Sequence, residues 1–368
     1  MHVLVTVPWG ERLGGAEMML QTLLDGVAST EHEVTIAFLQ EGPWANELAE
    51  AGFAVDVIPA GRLREPHRYA ASVIRLARVL RRRRPDVIVN WSAKTQLYGA
   101  PAAVLAGMAG RVVWWQHDIP SCKGINLLAT ALPARAIGCT AQAAADAQQQ
   151  LYPRRPTFVV NAGVPIPRPG ASTVDQPTLP DGALVVGIVG RLQPWKGQDR
   201  LLRAHAILRD RGHALHTLIV GGDSYGLSPE YASSLPALIG ELGLQGEVTM
   251  TGEVPDAGPY IERMDVLVNA SAPEPFGIVL VEAMSRGIVP VAVDAGGPRE
   301  LIEHERTGML ARSGDPSALA DALEPLVRSA SLRASLGAAA RARFERDLTD
   351  DKARERFFAA LSRVAARR

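Results

Sequence analysis

Short apolar runs rich in Val and Ile alternate with helical stretches along nearly the whole chain, and this alternation limits the fold more than any other feature. Runs that are apolar throughout are typical of parallel strands covered on both faces, and helices between them make right-handed crossovers. The strands predicted in the first half are Val3–Val7, Val34–Leu39, Val55–Ile58, Val87–Asn90, Val112–Trp115, Ile137–Thr140 and Phe158–Val160. Those predicted in the second half are Leu184–Val189, Thr217–Val220, Val248–Met250, Val266–Asn269 and Val289–Val293. The sequence therefore predicts an α/β protein built from doubly wound parallel sheets.

A proline-rich segment interrupts the alternation once. Because proline has no backbone N–H to donate, this segment predicts a linker over residues 166–182. We therefore predict two tandem Rossmann-like domains, over residues 1–165 and 183–349. The helical pattern from Ser331 to Arg368 is compatible with a helix pair on the second domain or with a last helix that returns to the first; we assign residues 350–368 to the first domain.

Composition excludes several classes of protein. Apolar residues make up 47% and charged residues 21%, which is typical of a globular chain, and 39 basic residues balance 39 acidic ones, so no basic excess favours nucleic acid. The two cysteines, Cys122 and Cys139, are too few for a disulfide-dependent protein. The start of the chain lacks the pattern of a secretory signal, and no apolar run approaches the roughly 20 residues of a membrane span. We expect a cytoplasmic protein.

Two loops of the second half carry unusual residues where predicted strands end. Ligands of open α/β sheets bind beyond the carboxyl ends of the strands. Arg191 and Lys196 lie in the glycine-framed segment GRLQPWKG after the first strand, and both cations could converge on an anion at the next helix start. Two solvated surface cations are the alternative.

The second of these loops is PEPFG, which follows the strand Val266–Asn269 and carries Glu274. Backbone amides near Gly277, Ile278 and Val279 are the unpaired donors of the helix that follows. Glu282 lies among apolar residues of that helix and needs a partner, because burying a carboxylate alone is costly. Either a structural Arg or Lys or the two vicinal hydroxyls of a ribose would satisfy it.

In the first half, Gly14-Gly15-Ala16-Glu17 opens a helix after the first strand, and WWQHD ends a strand at His117. The glycines allow a ligand to approach the backbone closely, or form a plain turn. His117 could exchange a hydrogen bond with a substrate oxygen, or pack under the tryptophans and pair with Asp118. The run Arg81–Arg84 ends a helix, where cations complement the dipole; peripheral contact with an anionic lipid surface is the alternative.

Together these motifs resemble the retaining glycosyltransferases of the GT-B fold, family four. The resemblance rests on Gly14-Gly15-Ala16-Glu17, on Gly190-Arg191 with Lys196-Gly197, and on Glu274-x7-Glu282 within PEPFGIVLVEAMSRGIVPVAVDAGG. It covers nearly the whole chain and implies two Rossmann-like domains with a nucleotide sugar in the cleft between them, held mostly by the second domain.

The resemblance also implies roles for individual residues. Arg191 and Lys196 neutralise the donor diphosphate, Glu274 binds hydroxyls of the donor sugar, and Glu282 binds the ribose. His117 matches the family's histidine near the reacting sugar, and Gly15 lets a loop close over the phosphates or the acceptor. The remaining implied donor-binding residues are Phe276, Gly277, Ile278 and Val279, with Gly296-Gly297 near the donor.

The expected activity is therefore transfer of a hexose from a nucleoside-diphosphate sugar to a hydroxyl acceptor, with retention and without a metal or other cofactor. A UDP-sugar is favoured over a GDP-sugar, and the acceptor is a glycan, a lipid-linked sugar or a small glycoside. A nucleotide-sugar epimerase and a non-catalytic nucleotide-sugar-binding partner are the alternatives. Exposed tryptophans could stack on a sugar acceptor, with Trp9 and Trp91 better placed for this than Trp114 and Trp115, which we expect in the core.

Overall fold

A computed structural model describes residues 1–12, 14–60, 64–121, 123–167, 179–223, 226–312 and 314–366. The chain divides into two compact units. Unit 1 comprises Met1–Gly163 together with Asp350–Arg368, and unit 2 comprises Val164–Thr349. Most of the predicted linker, residues 168–178, lies outside the described residues, as does Cys122.

Unit 1 is a parallel sheet of seven strands in the order β3-β2-β1-β4-β5-β6-β7, with helices between them. The strands are β1 His2–Val7, β2 Glu33–Phe38, β3 Ala54–Val57, β4 Val87–Asn90, β5 Val112–Gln116, β6 Ala136–Cys139 and β7 Thr157–Val159. The helices are α1 Gly15–Asp25, α2 Pro43–Glu50, α3 Pro66–Arg83, α4 Ala93–Leu105, α5 Ile125–Ala131 and α6 Gln142–Gln149. One further helix of this unit, Asp350–Ala366, comes from the end of the chain and is numbered α14 below.

Unit 2 repeats the arrangement with a parallel sheet of six strands in the order β10-β9-β8-β11-β12-β13. The strands are β8 Val185–Val189, β9 His216–Val220, β10 Val248–Met250, β11 Val266–Asn269, β12 Val289–Val293 and β13 Met309–Ala311. The helices are α7 Gln198–Asp210, α8 Pro229–Glu241, α9 Gly258–Ile261, α10 Ile278–Ser285, α11 Pro298–Leu301, α12 Pro316–Arg328 and α13 Ala330–Asp347.

The central strands of both sheets are covered on both faces, as their apolar sequences predict. Consecutive residues of a strand point to opposite faces. In β1, Val3 and Leu4 are 0% exposed and Val5 is 1% exposed, so side chains on both faces are buried. Burying one such side chain stabilises the fold by about 1.5–3 kcal/mol, which makes these strands the core of each unit.

Strand order reverses at one place in each sheet, between β1 and β4 in unit 1 and between β8 and β11 in unit 2. At such a place the two following loops diverge to opposite faces and leave a crevice at the carboxyl ends of the strands. We call the edge where these carboxyl ends lie the carboxyl edge. The loops after β8 and β11 carry most of the candidate residues.

The prediction of an α/β fold with two doubly wound sheets is confirmed. Every predicted strand is present within two residues of its predicted ends. The alternation missed β13, a strand of three residues that follows Gly308. The stretch from Ser331 is helical as predicted, and its apolar positions Leu336, Phe344 and Phe357 are buried.

Candidate active site

Lys196 and Glu274 meet at the carboxyl edge of unit 2. Lys196 ends a 3₁₀ turn in the loop after β8, and Glu274 lies in the loop after β11. Because β8 and β11 are paired in parallel, both loops leave the sheet at the same edge. Lys196 Nζ lies 3.0 Å from Glu274 Oε2, and the two side chains are 18% and 8% exposed. The structure therefore joins a cation and an anion that the sequence separates by 78 positions.

Asn269 holds the Glu274 carboxylate from the other side. This residue is the last of β11 and is 4% exposed. Its Nδ2 donates to Glu274 Oε2 at 3.2 Å, and its Oδ1 accepts from the Ser271 backbone at 3.0 Å. Asn269 is not among the site residues predicted from the sequence, although a polar residue that ends an apolar strand at the carboxyl edge is a usable signal. Lys196 and Asn269 together thus orient the Glu274 carboxylate.

Gly296-Gly297 supports the backbone beside Glu274. The Gly297 N–H donates to the Glu274 carbonyl oxygen at 2.9 Å, and Gly296 forms a parallel bridge with Glu274. A Cβ on Gly297 would lie 2.4 Å from the Pro275 carbonyl oxygen, so no larger residue fits without displacing the loop. The glycine pair therefore sets the position of the Glu274 loop.

The loop after β8 is fixed by a buried glutamine. Gln198, the first residue of α7, is 0% exposed, and its Nε2 donates to the Arg191 carbonyl oxygen at 3.0 Å. Tyr231 donates to Asp199 Oδ1 at 2.7 Å and so holds the start of α7. The Arg191 side chain itself has no hydrogen bond or ion pair with any described residue, which leaves its guanidinium available.

Helix α10 begins directly after the Glu274 loop. Its N-cap, Gly277, has φ 93°, a left-handed conformation that disfavours side chains with a Cβ, and Phe276 before it is buried. Leu280 donates to the Gly277 carbonyl oxygen at 2.9 Å. The N–H groups of Ile278 and Val279 have no acceptor among the described residues, so they are the free donors expected of a helix start.

Glu282 is partly buried one turn into α10. Its carboxylate makes no hydrogen bond or ion pair within the described ranges, so the structural Arg or Lys partner considered from the sequence is not observed. Arg286 instead donates to the Glu282 carbonyl oxygen at 3.2 Å and lies 3.5 Å from Glu262. Burial raises the pKa of Glu282 to about 7, because loss of solvation outweighs the attraction of Arg286, and Asp256 adds repulsion.

In unit 1, His117 directly follows β5 and packs edge-on against Trp91, with ring centroids 4.9 Å apart. Its Nε2 is buried without a hydrogen-bond partner in the described part of the chain. Burial lowers the pKa of His117 to about 4, and contact with the Trp91 backbone offsets this only in part. His117 is therefore a neutral imidazole at physiological pH. The ion pair between His117 and Asp118, which the sequence offered as an alternative, is not formed. The Asp118 N–H instead donates to the Gln116 side-chain oxygen at 3.1 Å.

The set of buried tryptophans differs from the prediction. Trp114 and Trp115 are 0% exposed, as expected, but Trp91 is 0% exposed as well, and its Nε1 donates to the Ala16 carbonyl oxygen at 3.0 Å. Trp91 stacks on Trp115 with centroids 5.2 Å apart. The prediction that Trp91 could stack on an acceptor is therefore wrong, because the ring lies in the core; Trp9 remains partly exposed.

The remaining candidate residues, Gly15 and the arginines at the end of α3, lie in unit 1. Gly15 is the first residue of α1, after β1, and Glu17 in the same turn is buried. Arg82 and Arg83 pair with Asp56, and Arg81 donates to the Leu105 carbonyl oxygen, so these cations have structural partners.

In the described residues no group of three or more His, Cys, Asp or Glu could hold a metal ion, and no helix is long and apolar enough to cross a bilayer.

Two family models match consecutive parts of the chain. The model described as Glycosyltransferase Family 4 matches residues 13–168, and the model described as Glycosyl transferases group 1 matches residues 172–343. The second match contains Arg191, Lys196, Glu274 and Glu282.

Curated relatives match over shorter segments. The D-inositol 3-phosphate glycosyltransferase of Nocardia farcinica is 38% identical over 153 residues, which cover 40% of this chain and 34% of that protein. The lipopolysaccharide core biosynthesis mannosyltransferase of Rhizobium leguminosarum is 33% identical over 156 residues, which cover 42% and 44%. The chain spans 34–39% of the length of the first three curated relatives.

A solved structure matches over the full length. HepE of Anabaena, in complex with UDP-glucose, superposes with a TM-score of 0.83 at 26% identity and covers 98% of this chain and 99% of that one. The two family models, the two doubly wound parallel sheets and this full-length similarity agree with one another. The chain therefore belongs to the GT-B glycosyltransferases.

Proposed function

We propose that the protein transfers a sugar from a UDP-sugar to a hydroxyl group of an acceptor, with retention of anomeric configuration and without a metal ion. Unit 2 binds the donor and unit 1 binds the acceptor. The observation that carries the proposal is the convergence of Lys196, Glu274 and the free amides of α10 at one place on the carboxyl edge. The UDP-glucose complex of HepE supports the choice of uridine.

The chemistry of the site suits departure of a diphosphate. The acceptor oxygen forms a bond to the anomeric carbon, the bond from that carbon to the phosphate oxygen breaks, and the hydroxyl proton passes to the leaving diphosphate. Negative charge develops on the diphosphate, and fixed cations and amides aimed at it lower the barrier. In the proposed mechanism Lys196 and Arg191 supply this charge, aided by the N–H groups of Ile278 and Val279.

Glu274 acts in this mechanism on the sugar rather than as a nucleophile. Its carboxylate accepts hydrogen bonds from Lys196 and Asn269, and sugar hydroxyls can donate to its remaining lone pairs. With no carboxylate assigned as nucleophile, we propose that the acceptor attacks on the face that the diphosphate leaves. A glycosyl–enzyme adduct detected by mass spectrometry contradicts this step.

The activity is tested by incubating the protein with UDP-sugars and GDP-sugars, with and without hydroxyl acceptors, in the presence and absence of EDTA. We expect release of UDP coupled to formation of a glycoside of the donor's anomeric configuration, at the same rate with EDTA. Isomerised donor without nucleotide release would identify an epimerase. Nucleotide binding without either product would identify a non-catalytic partner.

The raised pKa of Glu282 predicts a pH dependence of donor binding. Ribose hydroxyls donate to the ionised carboxylate, and with a pKa of about 7 this form falls from nearly complete at pH 8 to a minority at pH 6. We expect UDP-glucose to bind about tenfold more weakly at pH 6 than at pH 8. UDP-glucose is the suitable probe because its diphosphate does not titrate in this range.

Isothermal calorimetry measures this dependence, with Glu282→Gln as the comparison. The variant should bind more weakly than wild type at pH 8 and show no change between pH 8 and pH 6. An affinity of wild type that is the same at both pH values would contradict the role of Glu282.

A further inference from the structure

Lys94 is a cation held at the carboxyl edge of unit 1. It is the second residue of α4, and its Nζ lies 3.7 Å from the centroid of the Trp9 ring. Trp9 belongs to the loop after β1, and Lys94 follows β4. Because β1 and β4 are paired in parallel, these two loops leave the sheet together, at the point where its strand order reverses.

The position of Lys94 is fixed by its surroundings. The Ser92 hydroxyl accepts from the Thr95 N–H at 3.2 Å, and the Thr95 hydroxyl accepts from the Ser92 N–H at 2.9 Å, so the first turn of α4 is closed on itself. The Trp9 ring then holds the ammonium by a cation–π contact. Lys94 thus differs from a solvated surface lysine, which samples many conformers.

The Lys94 ammonium lacks an acceptor among the described residues. The ammonium carries three N–H donors, and its contact with the single face of the Trp9 ring leaves some of these donors unused. Over the described ranges it makes no hydrogen bond or ion pair. Burial lowers the pKa of Lys94, and no carboxylate of the described residues opposes that shift. A partly buried cation without a counter-ion is unfavourable, and a bound anion would relieve this cost.

The donor does not account for this cation in the proposed function. Unit 2 offers Lys196, Arg191 and the α10 amides for the diphosphate. The same edge of unit 1 also offers His117, which directly follows β5, the strand next to β4. Its neutral ring has a buried Nε2 without a partner among the described residues. A neutral imidazole exchanges hydrogen bonds with hydroxyls, whereas an ammonium on an aromatic ring selects an oxyanion.

We infer that Lys94, beside Trp9, binds an anionic group of the acceptor, so that the acceptor is a hydroxyl compound bearing a phosphate or a carboxylate. The inference rests on the proposed function for the identification of this ligand as the acceptor. The anion site itself rests on the geometry of Lys94 and Trp9.

Competitive lysine modification tests the site directly. The chain has only four lysines, so mass spectrometry after brief reductive methylation can follow each one separately. The protein is labelled with and without saturating UDP, and the UDP-saturated protein is labelled in the presence of glycerol 3-phosphate, glycerate or glycerol. We expect the phosphate or the carboxylate to slow modification of Lys94 several-fold. Glycerol should have no effect, and Lys352, in the first turn of α14, should be unchanged and serves as internal reference. Which of the two anions protects better identifies the charged group.

Equal modification of Lys94 with all three compounds would overturn the inference. The result is separable from the proposed function, because labelling requires no turnover. Protection of Lys94 in a protein that transfers no sugar would refute the proposed function alone. Protection of Lys196 by UDP, without protection of Lys94 by either anion, would refute the anion site alone.

Steady-state kinetics test whether the anionic group bound by Lys94 belongs to the acceptor. Lys94→Gln should lower kcat/KM for an anionic acceptor at least about tenfold and leave the KM of the donor unchanged, and Lys94→Arg should restore most of the loss. Arg78→Gln, which removes an exposed positive charge from α3 of the same unit, serves as the matched control. A change in the donor KM with no change in the acceptor KM would show that Lys94 does not serve the acceptor.

Discussion

Replacing Lys196 with Ala is expected to lower kcat by about 10²–10³-fold, the usual cost of removing one fixed group that stabilises developing negative charge. Lys196 is held in place by Glu274 at 3.0 Å and lies 4.0 Å from the Trp195 ring centroid, so its ammonium needs little reorganisation when the diphosphate departs. Steady-state kinetics with saturating UDP-sugar measure the effect on kcat separately from the effect on donor affinity.

The Ala substitution also leaves the buried Glu274 carboxylate with Asn269 as its protein donor, which lowers stability. Lys196→Gln keeps a hydrogen-bond donor for Glu274 without the charge and separates the two effects. Arg328→Ala is the control: it removes an exposed cation at the end of α12, at the edge of the sheet opposite the site. Near-normal turnover of both Lys196 variants, with unchanged circular dichroism, would remove Lys196 from the mechanism.

Glu274→Gln is expected to lower kcat/KM for the UDP-sugar by about 10- to 100-fold, because hydrogen bonds to a charged group contribute about 1.5–3 kcal/mol. The amide keeps the shape of the side chain but loses the charge that pairs with Lys196 and accepts from sugar hydroxyls. Because Glu274 binds the sugar in this account, affinity for UDP itself should change much less. Calorimetry with UDP and with UDP-glucose measures the difference.

A double-mutant cycle extends this test. Lys196 and Glu274 are in contact, so their effects should not add, and the double variant Lys196→Gln/Glu274→Gln should lose less than the product of the single losses. Equal losses of affinity for UDP and UDP-glucose in Glu274→Gln would contradict its assignment to the sugar.

The sequence predicts the fold well because parallel strands buried on both faces are apolar throughout. The same pattern does not predict β13, because Met309–Ala311 is too short to show a periodicity. The sequence also places Lys196 and Glu274 each at the carboxyl end of a strand. Their contact depends on β8 and β11 being neighbours, and strand order is a property of the folded sheet.

Burial is the property that the local sequence reveals least. Trp9 and Trp91 both follow a strand at the carboxyl edge, yet Trp91 turns inward to stack on Trp115, and Trp9 stays partly exposed against Lys94. Asn269 looks like an ordinary strand end until Glu274 is seen beside it. Lys94 stands out only when it is known to have no acceptor in the part of the chain that the structure describes.

A crystal structure of the protein with UDP-glucose tests the central claim most directly. The claim is that the carboxyl edge of unit 2 binds the donor diphosphate. We predict phosphate oxygens within hydrogen-bond distance of Lys196 Nζ and of the Ile278 and Val279 amides, with the ribose hydroxyls on Glu282. A nucleotide bound elsewhere, with Lys196 still paired only to Glu274, would contradict the account.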